Sequence, residues 1–273
     1  MAATNFLSID NYTLPQILAV ERDFLVVYKP PKMHSAPLPR SAETDSLAAW
    51  CAALFPETAA KFPETAALPE RQAGEGGLLH RLDYETHGLL LVARTAAGMD
   101  YFLAQQEKGA VLKEYSALAA EGATPLPGFP PCEFLPRTVA PREFAPHGEI
   151  IQSAFRAYGP GRKAVRPVIA SNKVASGAPA QYVTEVLQAR PLARGVTAFR
   201  LRIVRGFRHQ IRCHLAWIGL PILNDSLYGG ALDSCPLESG ALALRASRIT
   251  FDDPVSGRQR TFAIRPLEAE SFL

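Results

Sequence analysis

The chain has 273 residues, 48% hydrophobic and 20% charged, a balance that excludes global disorder and provides for a large core. A body of this length buries roughly 70 to 75% of the surface its unfolded chain exposes, so folding requires neither disulfides nor a structural metal. The four cysteines, Cys51, Cys132, Cys213 and Cys235, are widely spaced without a CxxC pair, which disfavours a zinc ribbon or a secreted disulfide scaffold and points to a reducing compartment. Met1 to Leu7 lacks the basic flank and apolar run of a signal peptide, and no stretch has the length of a membrane span. A cytoplasmic protein without membrane contact is expected.

The formal net charge of +3 is unevenly spread. Residues 1–149 carry 12 Lys or Arg against 18 Asp or Glu, a balance of −6, and residues 225–273 carry 5 against 7, or −2. Between them, residues 150–224 hold 12 Lys or Arg and a single acid, Glu185, or +11. Such a block suits a polyanionic partner, or else a solvated basic surface.

In chain order, Ile17–Val20 and Phe24–Tyr28 form two apolar strands joined at Glu21-Arg22-Asp23 and stopped by Pro30-Pro31, a hairpin pattern. Asp45 is the expected N-cap of a helix from Ser46 to Phe55. FPETAA at 55–60 recurs at 62–67, too few copies for a repeat fold. Leu78 to Asp83 leads through a polar loop into the strand Leu89–Val92, which puts Asp83 at a loop mouth. A helix from Ala96 to Lys108 and a strand from Val111 to Ala119 follow, with Lys113 and Tyr115 on one strand face. Seven prolines between Ala120 and His147 make a long connection, and 55–75 and 120–150 read as insertions or loops. The basic block contributes strands at 181–187 and 197–204 and a helix at 209–218, whose Ile211, Leu215 and Ile218 should pack while His209 and Arg212 share a polar side facing a cleft. Strands at 242–251 and 261–264 close the chain.

Taken alone, Asp83 beside His80 and Arg81 reads most simply as a turn-capping or ion-paired carboxylate. The string His80-Arg81-Leu82-Asp83-Tyr84-Glu85-Thr86-His87-Gly88-Leu89-Leu90, however, resembles the catalytic motif of the RluA-type pseudouridine synthases, which isomerise uridine within ribosomal or transfer RNA. The same family is resembled, in order, by Leu25-Val26-Val27-Tyr28-Lys29-Pro30, Lys113-Glu114-Tyr115-Ser116-Ala117, 178–184, and His209-Gln210-Ile211-Arg212-Cys213-His214-Leu215-Ala216 continuing to Gly229. The resemblance spans about residues 15–265. It implies an α+β fold with a mixed, mainly antiparallel sheet, flanking helices and a central catalytic cleft. Residues 1–273 would form one catalytic domain with no separate N-terminal RNA-binding domain.

Carried over, the resemblance makes Asp83 the nucleophile, Tyr115 the aromatic residue against the target base, and Arg212 the cation paired with the aspartate. The chemistry cleaves the bond between uracil nitrogen and sugar, turns the base and rejoins it through carbon 5, so it needs a carboxylate and no cofactor. A carboxylate buried alone would hold its proton, and an adjacent Arg keeps it ionised. A stacked uridine must be extruded, at a cost of roughly a few kcal/mol, with Arg81 filling the vacated space. His80, Thr86, Arg205, Arg208, His209 and Gln210 join Arg81 as expected RNA-binding residues, with Arg200 and Arg202 as further phosphate partners. The sequence departs from the family pattern at His87 (usually a small Ser), Phe207 (usually Arg), Asn224 (usually Gly) and Arg245 (often His).

A metal site from His209, Cys213 and His214 is disfavoured by the five-residue step between the histidines, which does not align on a helix. No GxSxG elbow accompanies His80 and His87, and no Lys-Ser or Lys-Thr pair follows Gly74–Gly77. The expected partner is structured RNA, with no metal and a monomeric chain. The competing reading is a non-catalytic RNA-binding protein on the same scaffold.

Overall fold

The computed structural model describes residues 6–38, 45–59, 74–121, 126–132, 149–169, 180–192, 195–229 and 241–267. The second FPETAA copy, most of the 120–150 connection, Ala178-Pro179 and Cys235 lie outside them. Along the described chain run β1 (Gln16–Val20), β2 (Phe24–Lys29), α1 (Leu47–Leu54), β3 (His87–Ala93), α2 (Ala96–Glu107), β4 (Leu112–Ala120), β5 (Glu149–Tyr158), β6 (Ala164–Val168), β7 (Tyr182–Pro191), β8 (Val196–Ile203), α3 (Gln210–Trp217), β9 (Leu244–Asp252) and β10 (Gln259–Ala263). They divide between two compact units, Met1–Lys113 with Arg245–Arg265, and Glu114–Leu244 with Pro266–Leu273.

In the first unit the densest apolar runs become β2 and β3, in which every residue is buried. They pair antiparallel from Phe24↔Ala93 to Lys29↔Gly88, β1 pairs antiparallel with β2, and β9 lies parallel to β3 and antiparallel to β10. Burial on both faces explains why these strands lack the alternation of a half-exposed sheet. One face is covered by α2, whose Met99, Phe102 and Leu103 fall at i, i+3 and i+4 and meet Phe24, Leu89, Leu91 and Phe251 in one cluster. Phe24, Phe102 and Phe251 meet edge to face with centroids 5.0–5.4 Å apart, the geometry their ring quadrupoles favour. Thr95 caps α2 by accepting the Gly98 N–H (3.0 Å) and donates to Asp23 (2.8 Å), which ties the helix to the β1–β2 turn. The cap of α1 is Ser46 rather than Asp45, because the Ser46 hydroxyl is the group that accepts the Ala49 N–H.

The second unit carries strands in the order β4-β8-β7-β5-β6, with β8/β7, β7/β5 and β5/β6 antiparallel. The β5–β6 hairpin has no counterpart among the expected strands, since Ser153, Ala154 and Ala164 fill buried positions where larger apolar residues would have signalled a strand. Helix α3 differs from its amphipathic expectation: all eight residues are buried, Gln210, Arg212 and His214 included. His209 lies outside the helix as its N-cap, in the left-handed region (φ 56°), so it does not share a helical face with Arg212. The polar side is buried because it is bonded. His214 Nδ1 lies 2.8 Å from Thr184 Oγ1 and Nε2 lies 3.0 Å from Ser153 Oγ, while burial pushes the ring's pKa down to about 3.

The entry into β3 depends on Gly88, whose φ is +125° and where any Cβ would lie 2.3 Å from the Ala246 carbonyl oxygen of β9. Gly88→Ala should therefore destabilise the fold by about 2 kcal/mol or more. Urea unfolding checks this, with a clear fall in the midpoint expected.

Candidate active site

Asp83 sits half-buried in the loop 80–86 that enters β3, and its neighbours on both sides are held by their backbones. Ser35 donates its hydroxyl to the Leu82 carbonyl (2.7 Å) and accepts the Leu82 N–H (3.0 Å). Lys29, at the end of β2, donates from Nζ to the carbonyls of Tyr84 (3.3 Å), Pro30 (2.9 Å) and Met33 (2.7 Å). The Asp83 carbonyl accepts the Thr86 N–H at 3.1 Å, closing the loop as a turn. The ring of His34 packs against Tyr84, centroids 4.6 Å apart. Asp83 is thus placed by the segment 29–35, where Pro30-Pro31 ends the strand and redirects the chain beneath the loop.

The Lys29 side chain has no solvent exposure, and burial pulls its pKa from 10.5 down to about 7 while the Asp83 charge pushes the other way. Lys29 and Ser35 were not singled out in the sequence as functional. Their signal is a lysine in an otherwise apolar strand, followed six residues on by a small hydroxyl.

Other residues expected at the site take distinct positions. Arg81 is 49% exposed and pairs with Glu75 (2.9 Å) rather than with its near neighbour Glu85. His80 accepts the Leu91 N–H on Nε2 (3.3 Å), which pins the loop to β3, and burial followed by the Lys113 charge lowers its pKa to about 3. The Thr86 hydroxyl and the Nδ1 atoms of His80 and His87 are buried without a hydrogen-bond partner among the described residues.

In the second unit, Tyr115 is buried on β4. Arg212, 2% exposed, binds Asp225 at two points (Nε–Oδ2 2.7 Å, Nη2–Oδ1 2.8 Å), with its guanidinium 5.6 Å from the centre of the Tyr228 ring. Asp225 Oδ1 also accepts the N–H groups of Leu227 and Tyr228, so the turn after α3 fixes the arginine's partner. Gln210 donates to Val183 O (2.8 Å) and Thr184 Oγ1 (3.1 Å) and accepts the Phe207 N–H (3.0 Å), a bracket joining three segments. His209 Nδ1 lies 3.3 Å from the Tyr228 hydroxyl, and burial, then Arg212 and Arg208, bring its pKa to about 3. Arg205 lies over the Tyr182 ring at 5.4 Å, Arg202 is paired with Glu185, and Arg200 lies 3.7 Å from Glu114.

The four departures from the family pattern each have a structural setting. His87 and Arg245 face each other across the β3–β9 ladder, and Arg245 Nε donates to His87 Nε2 at 3.0 Å. The two changes therefore form one pair: burial and the charges of Arg245 and Lys29 keep the His87 ring neutral and able to accept. Arg245 also donates to the Arg265 carbonyl (3.0 Å) and lies 4.7 Å from the Tyr12 ring centre. Asn224 stands at φ 61°, a left-handed position natural to Gly that Asn tolerates, and donates to the Ala241 carbonyl. Phe207 stacks on Phe155, centroids 5.0 Å apart and planes within 9°.

Among the described residues, no helix is long and apolar enough to cross a membrane, and no group of three or more His, Cys, Asp or Glu is arranged to hold a metal ion. With loop, strands and partner residues in this arrangement, residues 23–217 match the family model described as RNA pseudouridylate synthase, and the chain belongs to that family. It is 27% identical over 201 residues to the ribosomal large subunit pseudouridine synthase D of Haemophilus ducreyi, an alignment covering 69% of this chain and 52% of that protein. It is also 27% identical over 192 residues to the uncharacterized RNA pseudouridine synthase YjbO of Bacillus subtilis, covering 68% and 53%. The chain spans about half the length of the curated relatives it matches. Its fold is similar to human RNA pseudouridylate synthase domain containing 1, with TM-score 0.59 and 20% identity over 97% of this chain and 89% of that one.

Replacing Lys29 with Met leaves the Tyr84, Pro30 and Met33 carbonyls without their buried donor, at a cost of about 1–3 kcal/mol. The sign of the pH effect follows from the lowered pKa: between pH 7 and 10.5 the unfolded chain holds a proton that folded Lys29 has released, so this group makes stability rise with pH across that window. Urea midpoints at pH 7, 8 and 9 should rise less steeply in Lys29→Met than in wild type. Equal slopes would remove Lys29 as the titrating group.

Proposed function

We propose that this chain is an RNA pseudouridine synthase, an isomerase acting on uridines of ribosomal or transfer RNA. The carrying observation is Asp83, in the family's motif, with the residue before it bound by Ser35 and the residue after it by Lys29. A nucleophile must meet the sugar carbon in a narrow range of geometry, and a carboxylate between two anchored peptide units has little freedom to lose on reaction. In its protonated form the neighbouring Lys29 favours the ionised carboxylate that attack requires.

Asp83 acts as nucleophile or base while the bond between uracil and ribose breaks. The base turns and rejoins the sugar through carbon 5, and the carbon 5 proton leaves to solvent. The family pattern assigns Tyr115 to the uracil ring and Arg212 to the charge of the aspartate, and within its own unit Arg212 is oriented by Asp225. Arg81, on the exposed side of the loop, takes the space of the extruded nucleotide. The names of the curated relatives favour large-subunit ribosomal RNA as the first substrate to test.

The test is tritium release from RNA labelled at carbon 5 of uridine, taken from cells lacking the protein. Wild type should release tritium, and Asp83→Asn should fall below about one-thousandth of that rate with its fold unchanged. Normal release by Asp83→Asn would remove Asp83 from the mechanism. No release by wild type, with RNA binding intact, would favour a binding protein on this scaffold.

A further inference from the structure

Residues 150–224 contain 12 Lys or Arg and one acid, and that acid is already engaged: Glu185 is held by Arg202 at two points, 2.7 and 2.8 Å. Acids from outside the stretch reach two more of its cations, Glu114 lying 3.7 Å from Arg200 and Asp225 binding Arg212. Five others gather on the β5–β6 hairpin and the loop beside it, within the second unit. Arg156 and Arg166 are direct cross-strand partners, an arrangement of like charges that costs stability on its own. Arg162 and Lys163 are exposed at the hairpin tip, where Gly159, Gly161 and Arg162 all have positive φ. Arg208 is exposed and is brought to the same tip, donating to the carbonyls of Arg162 (2.8 Å) and Ala164 (3.2 Å).

The Arg156–Arg166 pair lies two residues below the closing pair Tyr158↔Ala164, a distance of roughly 7 Å along the strands. Among the described residues, none of the five cations has a carboxylate within 4.0 Å. Arg166 instead donates to the Gly128 carbonyl at 2.5 Å, which fixes its stem. Five cations set together with no described carboxylate among them maintain a repulsion that a bound polyanion relieves.

We propose that the β5–β6 hairpin with Arg208 is a docking surface for the phosphate backbone of RNA, separate from the residues assigned to the chemistry. The proposal rests on the reading that this chain acts on RNA, and it adds Arg156, Arg162, Lys163 and Arg166 to the contact set. Guanidinium forks match phosphate oxygens in pairs, and four of the five cations are arginines. An anionic membrane is the less suitable partner, because none of the large apolar side chains exposed on the described surface lies between 151 and 168 to insert beside the charges. The docked backbone holds the RNA while the target nucleotide is extruded, so the surface acts on affinity and not on the isomerisation step.

The test is the triple variant Arg156→Gln, Arg162→Gln, Lys163→Gln, which spares Arg166 and Arg208 because they hold backbone carbonyls. Binding of an RNA stem-loop is measured across a salt series, beside tritium release at saturating RNA. The expected result is a Kd raised about tenfold or more and a salt slope reduced by roughly 2 to 3, with release at saturation within about twofold of wild type. The charge-keeping triple Arg156→Lys, Arg162→Lys, Lys163→Arg should retain the wild-type slope. An unchanged Kd and slope in the Gln triple would overturn the proposal, as would failure of the wild type to bind the stem-loop. So would loss of capture by phosphatidylserine vesicles with RNA binding unaltered. Weakened RNA binding in the triple, with no tritium release by wild type, would keep the docking surface and discard the isomerase reading.

Discussion

The buried ammonium of Lys29 is the interaction on which the candidate site depends. It stands at the end of a strand with no exposed residue, and its only described hydrogen bonds go to three main-chain carbonyls, one of them next to the proposed nucleophile. Burying a charge is costly unless its hydrogen bonds are met, and here three main-chain carbonyls meet them. The ammonium and the loop thus require each other. Ser35 repeats the device on the other side of Asp83, and the β2–β3–β9 ladder supplies the floor on which both act.

The second unit shows the same preference for polar groups bonded inside the fold. Helix α3 buries an arginine, a glutamine and a histidine, and each is held by a partner from a different segment: Asp225, Val183 with Thr184, and Ser153 with Thr184. Truncating either member of such a pair leaves the other buried and unmet, so the arrangement specifies one packing more sharply than an apolar helix would. Arg212 is accordingly rigid before any substrate arrives. Other cations of the same unit stand on the hairpin, where no described carboxylate pairs with them.

Much of the fold was legible in the sequence, because β2, β3, α2 and β9 announce themselves by apolar runs or helical spacing and begin or end at recognisable caps. The β5–β6 hairpin was not, since Ser153, Ala154 and Ala164 stand at buried positions and weaken the hydrophobic period. The Asp83 loop was legible as a motif, but its supports were not: a buried lysine and serine look, in sequence, like any polar residues beside a proline pair. His87 and Arg245 were visible as separate departures 158 positions apart, and only the parallel ladder shows that they are one hydrogen-bonded pair. Likewise the unusual Asn224 becomes intelligible once its φ of 61° is known.

The most direct measurement of the central claim is a map of pseudouridine in ribosomal and transfer RNA, read as carbodiimide-dependent stops of reverse transcription. RNA would come from cells lacking this protein and from the same cells supplied with wild type or with Asp83→Asn. The account predicts at least one position that loses its stop in the absence of the protein, regains it with wild type, and stays unmodified with Asp83→Asn. Identical maps in all three, or restoration by Asp83→Asn, would contradict it.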